Sequence, residues 1–383
     1  MDFESLANFI KKLYSSKEII SLHEPLFLGN EKKYLENCID SGYVSSVGSY
    51  VNDFEKSISD YTKCKNAILC LNGTNSIHIC LQLAGVKKGD EVITQALSFV
   101  ATANAIIYSN ADPVFVDVEK NTMGMCPNDL EKFLNKNTYI KGNECFNKNT
   151  GKRIKACLPA HILGRACRID EIHSICEKFH IELIEDAAEG MGSFYKGKHL
   201  GNFGRLAAIS FNGNKIITTG GGGVILTDDD ELAKKAKHLT TQAKTFHEWE
   251  YNHDEIGYNY RMPNINAAVG LAQLEKINCI LEIKRNIHKS YTNFFKQNNL
   301  EFFSENINEQ SNLWLNAIIL ESIDKRNDLL KFLHNKKIMA RPLWNLISSF
   351  EMYKKYQKSN LINSKWLLER VVTLPSGCHN LVQ

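Results

Sequence analysis

Between residues 66 and 227, short apolar runs alternate with segments of helical spacing, and this alternation narrows the fold more than any other feature of the chain. NAILCLNG (66–73) reads as a strand ending in a loop, and 76–85 as a helix. A strand over 91–96, a helix over 102–110 and a strand over 113–118 follow. The rhythm continues with a strand over 154–161, a helix over 169–180 and strands over 181–187, 206–212 and 222–227. This order predicts a mostly parallel sheet covered by helices on both faces. Ligands of such sheets bind beyond the carboxyl ends of the strands. Asn72, Asp186 and the loop after Ala160 all fall at such ends.

Outside that region the pattern changes. Residues 143–152 are polar and contain glycine, and are expected to form an exposed hairpin tip. A long helix is expected from Ile265 past Tyr291, followed by a strand-like piece (313–320), a helix (328–337) and a second short piece (338–344). We therefore expect a large domain, 1–255, and a smaller C-terminal α/β domain, 256–383, built on the long helix.

Composition excludes several classes. The 383 residues carry a net charge of only +3, which gives no reason to expect nucleic acid or an anionic membrane as a partner. No apolar run reaches membrane-spanning length. Eleven cysteines are an odd number, many lie in apolar runs, and residues 1–20 lack a signal-peptide core, so reduced buried thiols in a cytoplasmic protein are expected. The twelve histidines show no metal-ligand spacing, and no metal is expected.

The stretch SFNGNKIITTGGGG (210–223) sets Lys215 between a strand-like run and four glycines. Taken alone, this is a surface lysine beside a glycine-rich turn. Hemmed in by small and apolar residues, however, it is a poor salt-bridge partner and a good amine nucleophile, because burial disfavours the ammonium form. Upstream, Asp186 ends the apolar run IELI, and LNGTNS (71–76) joins a strand to a helix. That loop is either a plain N-cap by Thr74 or Ser76, or an anion site made by backbone N–H groups and the helix dipole. An aspartate, a lysine and a phosphate-sized loop together compose a pyridoxal phosphate site.

These pieces, in this order and over nearly the whole chain, resemble the DegT/StrS family of nucleotide-sugar aminotransferases. The likeness runs through GNEKKYLENCIDSGYVSSVGSYVNDFEKSI (29–58), PAHILGRACRIDEI, IEDAAEGMGS, GYNYRMPNINAAVGLAQLEK (257–276) and RPLWNL. It implies the aspartate aminotransferase-like architecture, PLP fold type I, with a mostly parallel seven-stranded sheet in the large domain and pyridoxal 5′-phosphate as cofactor. Lys215 matches the Schiff-base lysine and Asp186 the carboxylate on the pyridine nitrogen. Ser210, Thr74 and Asn75 match contacts to the phosphate, and Phe99 the ring-stacking aromatic. Asn259 matches an asparagine that a second subunit lends to the phosphate, which implies a homodimer with shared active sites.

Glu189, three residues after Asp186, stands where many members carry glutamine or histidine. With NGNKIITT and RPLW it is most similar to the subgroup of LegC-like and bacillosamine-pathway enzymes. That subgroup implies L-glutamate as donor and a UDP-linked 2-acetamido-2,6-dideoxy-4-ketohexose as acceptor, for surface glycan or nonulosonate synthesis. His161, Arg341 and Trp344 are weaker substrate candidates, with structural packing as the rival role of each. Three rivals to a transaminase stand: a PLP-dependent sugar dehydratase, a non-catalytic regulatory relative, and a nicotinamide-dependent enzyme. The first is opposed by Lys215, since such dehydratases carry histidine there. The second is opposed by the complete set of Lys215, Asp186 and Ser210. The third lacks a G-x-G-x-x-G between its first strand and helix.

Overall fold

The computed structural model describes residues 2–15, 18–298 and 302–378. Seven of the apolar runs form one sheet: Asn66–Cys70, Glu91–Gln95, Asp112–Val116, Arg153–Leu158, Glu182–Asp186, Leu206–Ser210 and Gly223–Thr227. Across the sheet they begin, in order, at Asn66, Gly223, Leu206, Glu182, Arg153, Glu91 and Asp112. From Leu206–Ser210 outward to Asp112–Val116 all neighbours are parallel. Gly223–Thr227 alone on this path runs antiparallel to both its neighbours. The predicted mostly parallel seven-stranded sheet is thus present. A hairpin, Thr138–Lys141 and Glu144–Asn147, pairs with Arg153–Leu158 and extends the sheet to nine strands.

Strands buried on both faces read as continuous apolar runs, and Leu206–Ser210 and Gly223–Thr227 are buried throughout. Alternate residues serve opposite helix layers. Val92, Leu158 and Ile184 enter one cluster, while Ile93, Cys157 and Leu183 enter another. Each such side chain contributes about 1.5–3 kcal/mol by leaving water, which fixes the register. Gly223 lies between Cys70 and Ser210. A Cβ there would fall 2.5 Å from the carbonyl carbon of Asn72, so only glycine lets this strand enter the sheet beside the loop.

A smaller antiparallel sheet follows, ordered Asn316–Ile319, Val371–Leu374, Arg341–Pro342. The N-terminal helix Phe3–Leu13 packs on Ile323–Asn335, and Ile20 pairs with Ile338, so the chain's start lies against its last third.

Three expectations are corrected. Residues 143–152 are not merely a hairpin tip, since Glu144–Asn147 is a sheet strand whose Asn147 amide bonds Glu91 in the interior. The long helix is two, Asn264–Glu275 and Ile277–Gln297, parting at Lys276. They separate because they bury different surfaces: the first packs on Glu31–Ser41 and Ser49–Thr62, while the second buries Ile280, Ile287 and Tyr291. The helix expected at 76–85 begins at Gly73, capped by neither Thr74 nor Ser76 but by Asn72, whose side chain accepts from the Asn75 N–H at 2.8 Å. Asparagine wins because it sits in extended backbone one residue before the first turn, where an N-cap must be. Nine of the eleven cysteines are buried and all eleven are free thiols, which bears out their reading as small hydrophobes. Among the described residues no helix is long and apolar enough to cross a membrane.

Candidate active site

A cavity of about 310 Å³ opens at the carboxyl ends of the parallel strands. Strand geometry brings its chemical groups together. Asp186 is the last residue of Glu182–Asp186 and Ser210 the last of Leu206–Ser210. Gly73 and Thr74 face the same space from the first turn of Gly73–Leu83. A Cβ on Gly73 would lie 2.9 Å from the Ser210 Cβ, so the helix start can sit against the serine only without a side chain. The outcome is a helix N-terminus beside a hydroxyl, an arrangement that favours a phosphate.

Asp186 is nearly buried. One carboxylate oxygen accepts from the Thr102 hydroxyl at 2.6 Å and the other from the Ala188 N–H at 3.1 Å. Burial pushes its pKa up, against the opposing pull of those two bonds and of Lys215. Lys215 lies in the same cavity with its side chain 15% exposed. Contrary to expectation it does form an ion pair: its Nζ is 3.1 Å from Glu189 Oε1 and 4.2 Å from the centre of the Trp314 ring. Neighbours in sequence are small and apolar, but the fold delivers a carboxylate and an indole from elsewhere. Glu189 reaches the cavity from a turn rather than a helix, and also accepts from the Leu163 N–H at 2.7 Å. Burial raises the Glu189 pKa, and the Lys215 ammonium works against that rise.

His161 lines the floor of the cavity but is fully engaged below it. Its Nε2 is 3.0 Å from Glu185 Oε2, and its Nδ1 faces Cys167. Burial alone would lower its pKa; Cys167 and Glu185 override burial and hold it at about 10. Phe99, 55% exposed, overhangs the cavity with its ring centre 6.4 Å from that of Trp344. Arg341 is not on this cavity; it lines a second one of about 180 Å³ that shares Asn214, Trp314 and Trp344 with the first. Asn75 is also absent from the cavity wall, its N–H being taken by Asn72. Asn259 is exposed, away from the cavity, on a segment whose backbone pairs with Thr241.

Sequence reasoning missed Thr102, Trp314 and Glu185. Glu185 adjoins Asp186 on a strand, so alternation sends it to the opposite face, toward His161. Thr102 had a usable signal, a hydroxyl in the first turn of the helix that follows a strand. Trp314 had none, because it meets the Lys215 loop across 100 residues.

The residues present fit pyridoxal 5′-phosphate. The Gly73–Ser210 cradle accepts a phosphate, the buried Asp186 suits a protonated ring nitrogen, and the Lys215 amine completes the set. Comparison with known proteins agrees. The model of the DegT/DnrJ/EryC1/StrS aminotransferase family matches residues 28–380. The chain belongs to this family. It is 36% identical over 364 residues to the putative pyridoxal phosphate-dependent aminotransferase EpsN of Bacillus subtilis, covering 94% of this chain and 91% of that one. It is 35% identical over 361 residues to the GDP-perosamine synthase of Vibrio cholerae, covering 94% of each. A DegT DnrJ EryC1 StrS aminotransferase from Brucella abortus superposes with a TM-score of 0.83 at 26% identity, covering 92% of this chain and 91% of that one. The family expectation is met; none of these three relatives bears the name of the LegC-like or bacillosamine subgroup.

Proposed function

We propose that this protein is a PLP-dependent transaminase that moves an amino group from L-glutamate to C4 of a nucleotide-linked 4-keto-6-deoxy sugar. The observation that carries the proposal is one cavity whose wall brings together the buried Asp186 and the partly buried Lys215, in a chain of this family. When bound, pyridoxal 5′-phosphate supplies an aldehyde that takes up the amino group and an electron-poor ring that spreads carbanion charge.

The rest is the work of this chain's residues. Lys215 Nζ takes the proton from Cα of the donor and later delivers one to C4 of the acceptor. Glu189 and the Trp314 ring hold that Nζ in place. Asp186, oriented by Thr102 and the Ala188 N–H, keeps a proton on the ring nitrogen. Ser210 and the helix start at Gly73 and Thr74 bind the phosphate, and Phe99 covers the ring. Both substrates use one pocket in turn, so ping-pong kinetics are expected.

For the acceptor, the sequence resemblance supports a UDP-linked 2-acetamido-2,6-dideoxy-hexos-4-ulose. The GDP-perosamine synthase likeness favours a second reading, a GDP-linked sugar. One exposed stretch, 246–259, supports a homodimer that shares active sites. Asn259 is exposed, and Phe246, Trp249, Tyr251 and Ile256 stand 75–95% exposed nearby in the chain. Incubating the holoenzyme with glutamate and a panel of UDP-, GDP- and dTDP-linked 4-keto sugars, with products read by mass, tests the proposal. A 4-amino sugar nucleotide is expected; cofactor reduced to its amine form but no amination of any keto sugar would overturn it.

A further inference from the structure

The second cavity holds a residue that nothing above uses. His23 lines it, together with Asn214, Trp314, Arg341 and Trp344. Both nitrogens of its imidazole are buried and have no hydrogen-bond partner among the described residues. Buried polar side chains in native interiors are nearly always paired, and here two such atoms on one ring are left over. The backbone leading into His23 is held in place: Ile20 pairs with Ile338, and the Ser376 N–H donates to the Leu22 carbonyl at 2.7 Å. The His23 ring sits 6.3 Å from that of Trp314, whose opposite role is to carry the Lys215 ammonium. This cavity is therefore one indole away from the reacting amine.

We propose that His23 is a specificity residue for the acceptor: its imidazole hydrogen-bonds an uncharged substituent of the hexose, a hydroxyl or an acetamido group, held between Trp314 and Trp344. The inference rests on the function proposed above and assigns the sugar-reading end of that site.

Three observations favour a neutral sugar substituent over the donor's carboxylates. Burial, then Lys284 and Lys215, hold the His23 pKa well below its ordinary value. The ring is therefore neutral and offers one donor and one acceptor, the complement of a hydroxyl or an amide. The cavity's cation is instead Arg341, exposed and without an ion pair among the described residues, placed for the diphosphate that follows the sugar. Trp314 and Trp344 both line the cavity, and indoles supply flat apolar surface that a hexose ring packs against. The outer torsion of histidine is soft, so turning a ring nitrogen onto a bound group costs little.

The test uses the holoenzyme and four unreactive probes: UDP-N-acetylglucosamine, UDP, GDP-mannose and GDP, titrated by calorimetry. His23→Phe keeps the ring's bulk and removes both hydrogen bonds. It should weaken the sugar nucleotide that binds the wild type by about tenfold or more, the worth of one buried hydrogen bond. Affinity for the matching nucleoside diphosphate should change less than about twofold, as should the rate at which glutamate bleaches the cofactor absorbance. His23→Leu, smaller and likewise without a hydrogen-bonding group, is read in the same way should the phenylalanine variant not fold. Unchanged sugar-nucleotide affinity overturns the proposal, and so does an equal loss for UDP or GDP alone. A loss confined to the glutamate reaction overturns it in favour of a donor-carboxylate site. Failure of the wild type to bind any sugar probe would instead count against the proposed function, and this inference would fall with it.

Discussion

Glu185 and Asp186 are adjacent carboxylates at the end of one strand, both nearly or fully buried, yet the fold treats them oppositely. Glu185 points away from the cavity. It accepts from the N–H groups of Gly201, Phe203 and Gly204 at 2.9, 2.6 and 2.7 Å and pairs with His161. Burial would raise its pKa, but these partners hold it below the usual carboxylate value. Asp186 faces the cavity with, among the described residues, only Thr102 and Ala188 bonded to its carboxylate, and burial leaves its pKa raised. The lesson is physical: a buried charge that is fully satisfied is a structural rivet, whereas one with acceptor capacity to spare marks the place where a ligand belongs.

The comparison can be broken from either side. The largest effect is expected on the cavity side from Lys215→Ala, which should lower turnover on the order of 10⁴-fold. Near-normal turnover would remove the amine from the reaction. On the structural side, Glu185→Ala leaves three N–H groups and His161 without their acceptor. It should cost about 3–5 kcal/mol of folding stability in denaturant titrations. Activity per folded molecule should fall less than about tenfold. A collapse of activity at full stability would mean that Glu185 belongs to the chemistry after all.

Asp186→Asn should retain the cofactor but slow the reaction about 10²–10³-fold in single-turnover measurements with glutamate. Full activity would show that another group protonates the ring nitrogen. The smallest effect concerns pH. His161 has its folded pKa at about 10, above an unfolded value near 6.5. Its contribution is therefore full below pH ~6.5 and is lost as pH rises through about 10. Glu185, lowered in the fold, contributes above its unfolded value near 4.3 and loses that contribution under acid. The stability gap between wild type and His161→Gln should hence be widest near pH 5–6 and narrow in alkali. A gap that stays constant from pH 6 to about 10 would mean the pair is not ionic.

Much of the architecture was legible in the sequence. The strands at 91, 153, 182 and 206 announced themselves because parallel strands buried on both faces need unbroken apolar runs, and that also placed Asp186 and Ser210 at productive ends. Boundaries set by packing were not legible. Nothing local at Lys276, neither proline nor glycine, marks the break between the two helices; only the two surfaces they bury explain it. The cap at Asn72 was misplaced because Thr74 and Ser76 are equally good cap residues by type, and backbone conformation alone separates them.

By itself the sequence determined the layered sheet, the family and the pairing of an amine with a carboxylate across a cofactor site. Those features rest on local periodicity and on motifs a few residues long. Only the tertiary structure decided that Lys215 is steadied by Glu189 and Trp314, that His161 pairs with Glu185, and that the His23 nitrogens, unpartnered among the described residues, lie on the far side of Trp314 from Lys215. These contacts join side chains from tens to hundreds of residues apart. Their existence depends on which way each side chain turns once its element is packed, which no pattern along the chain records.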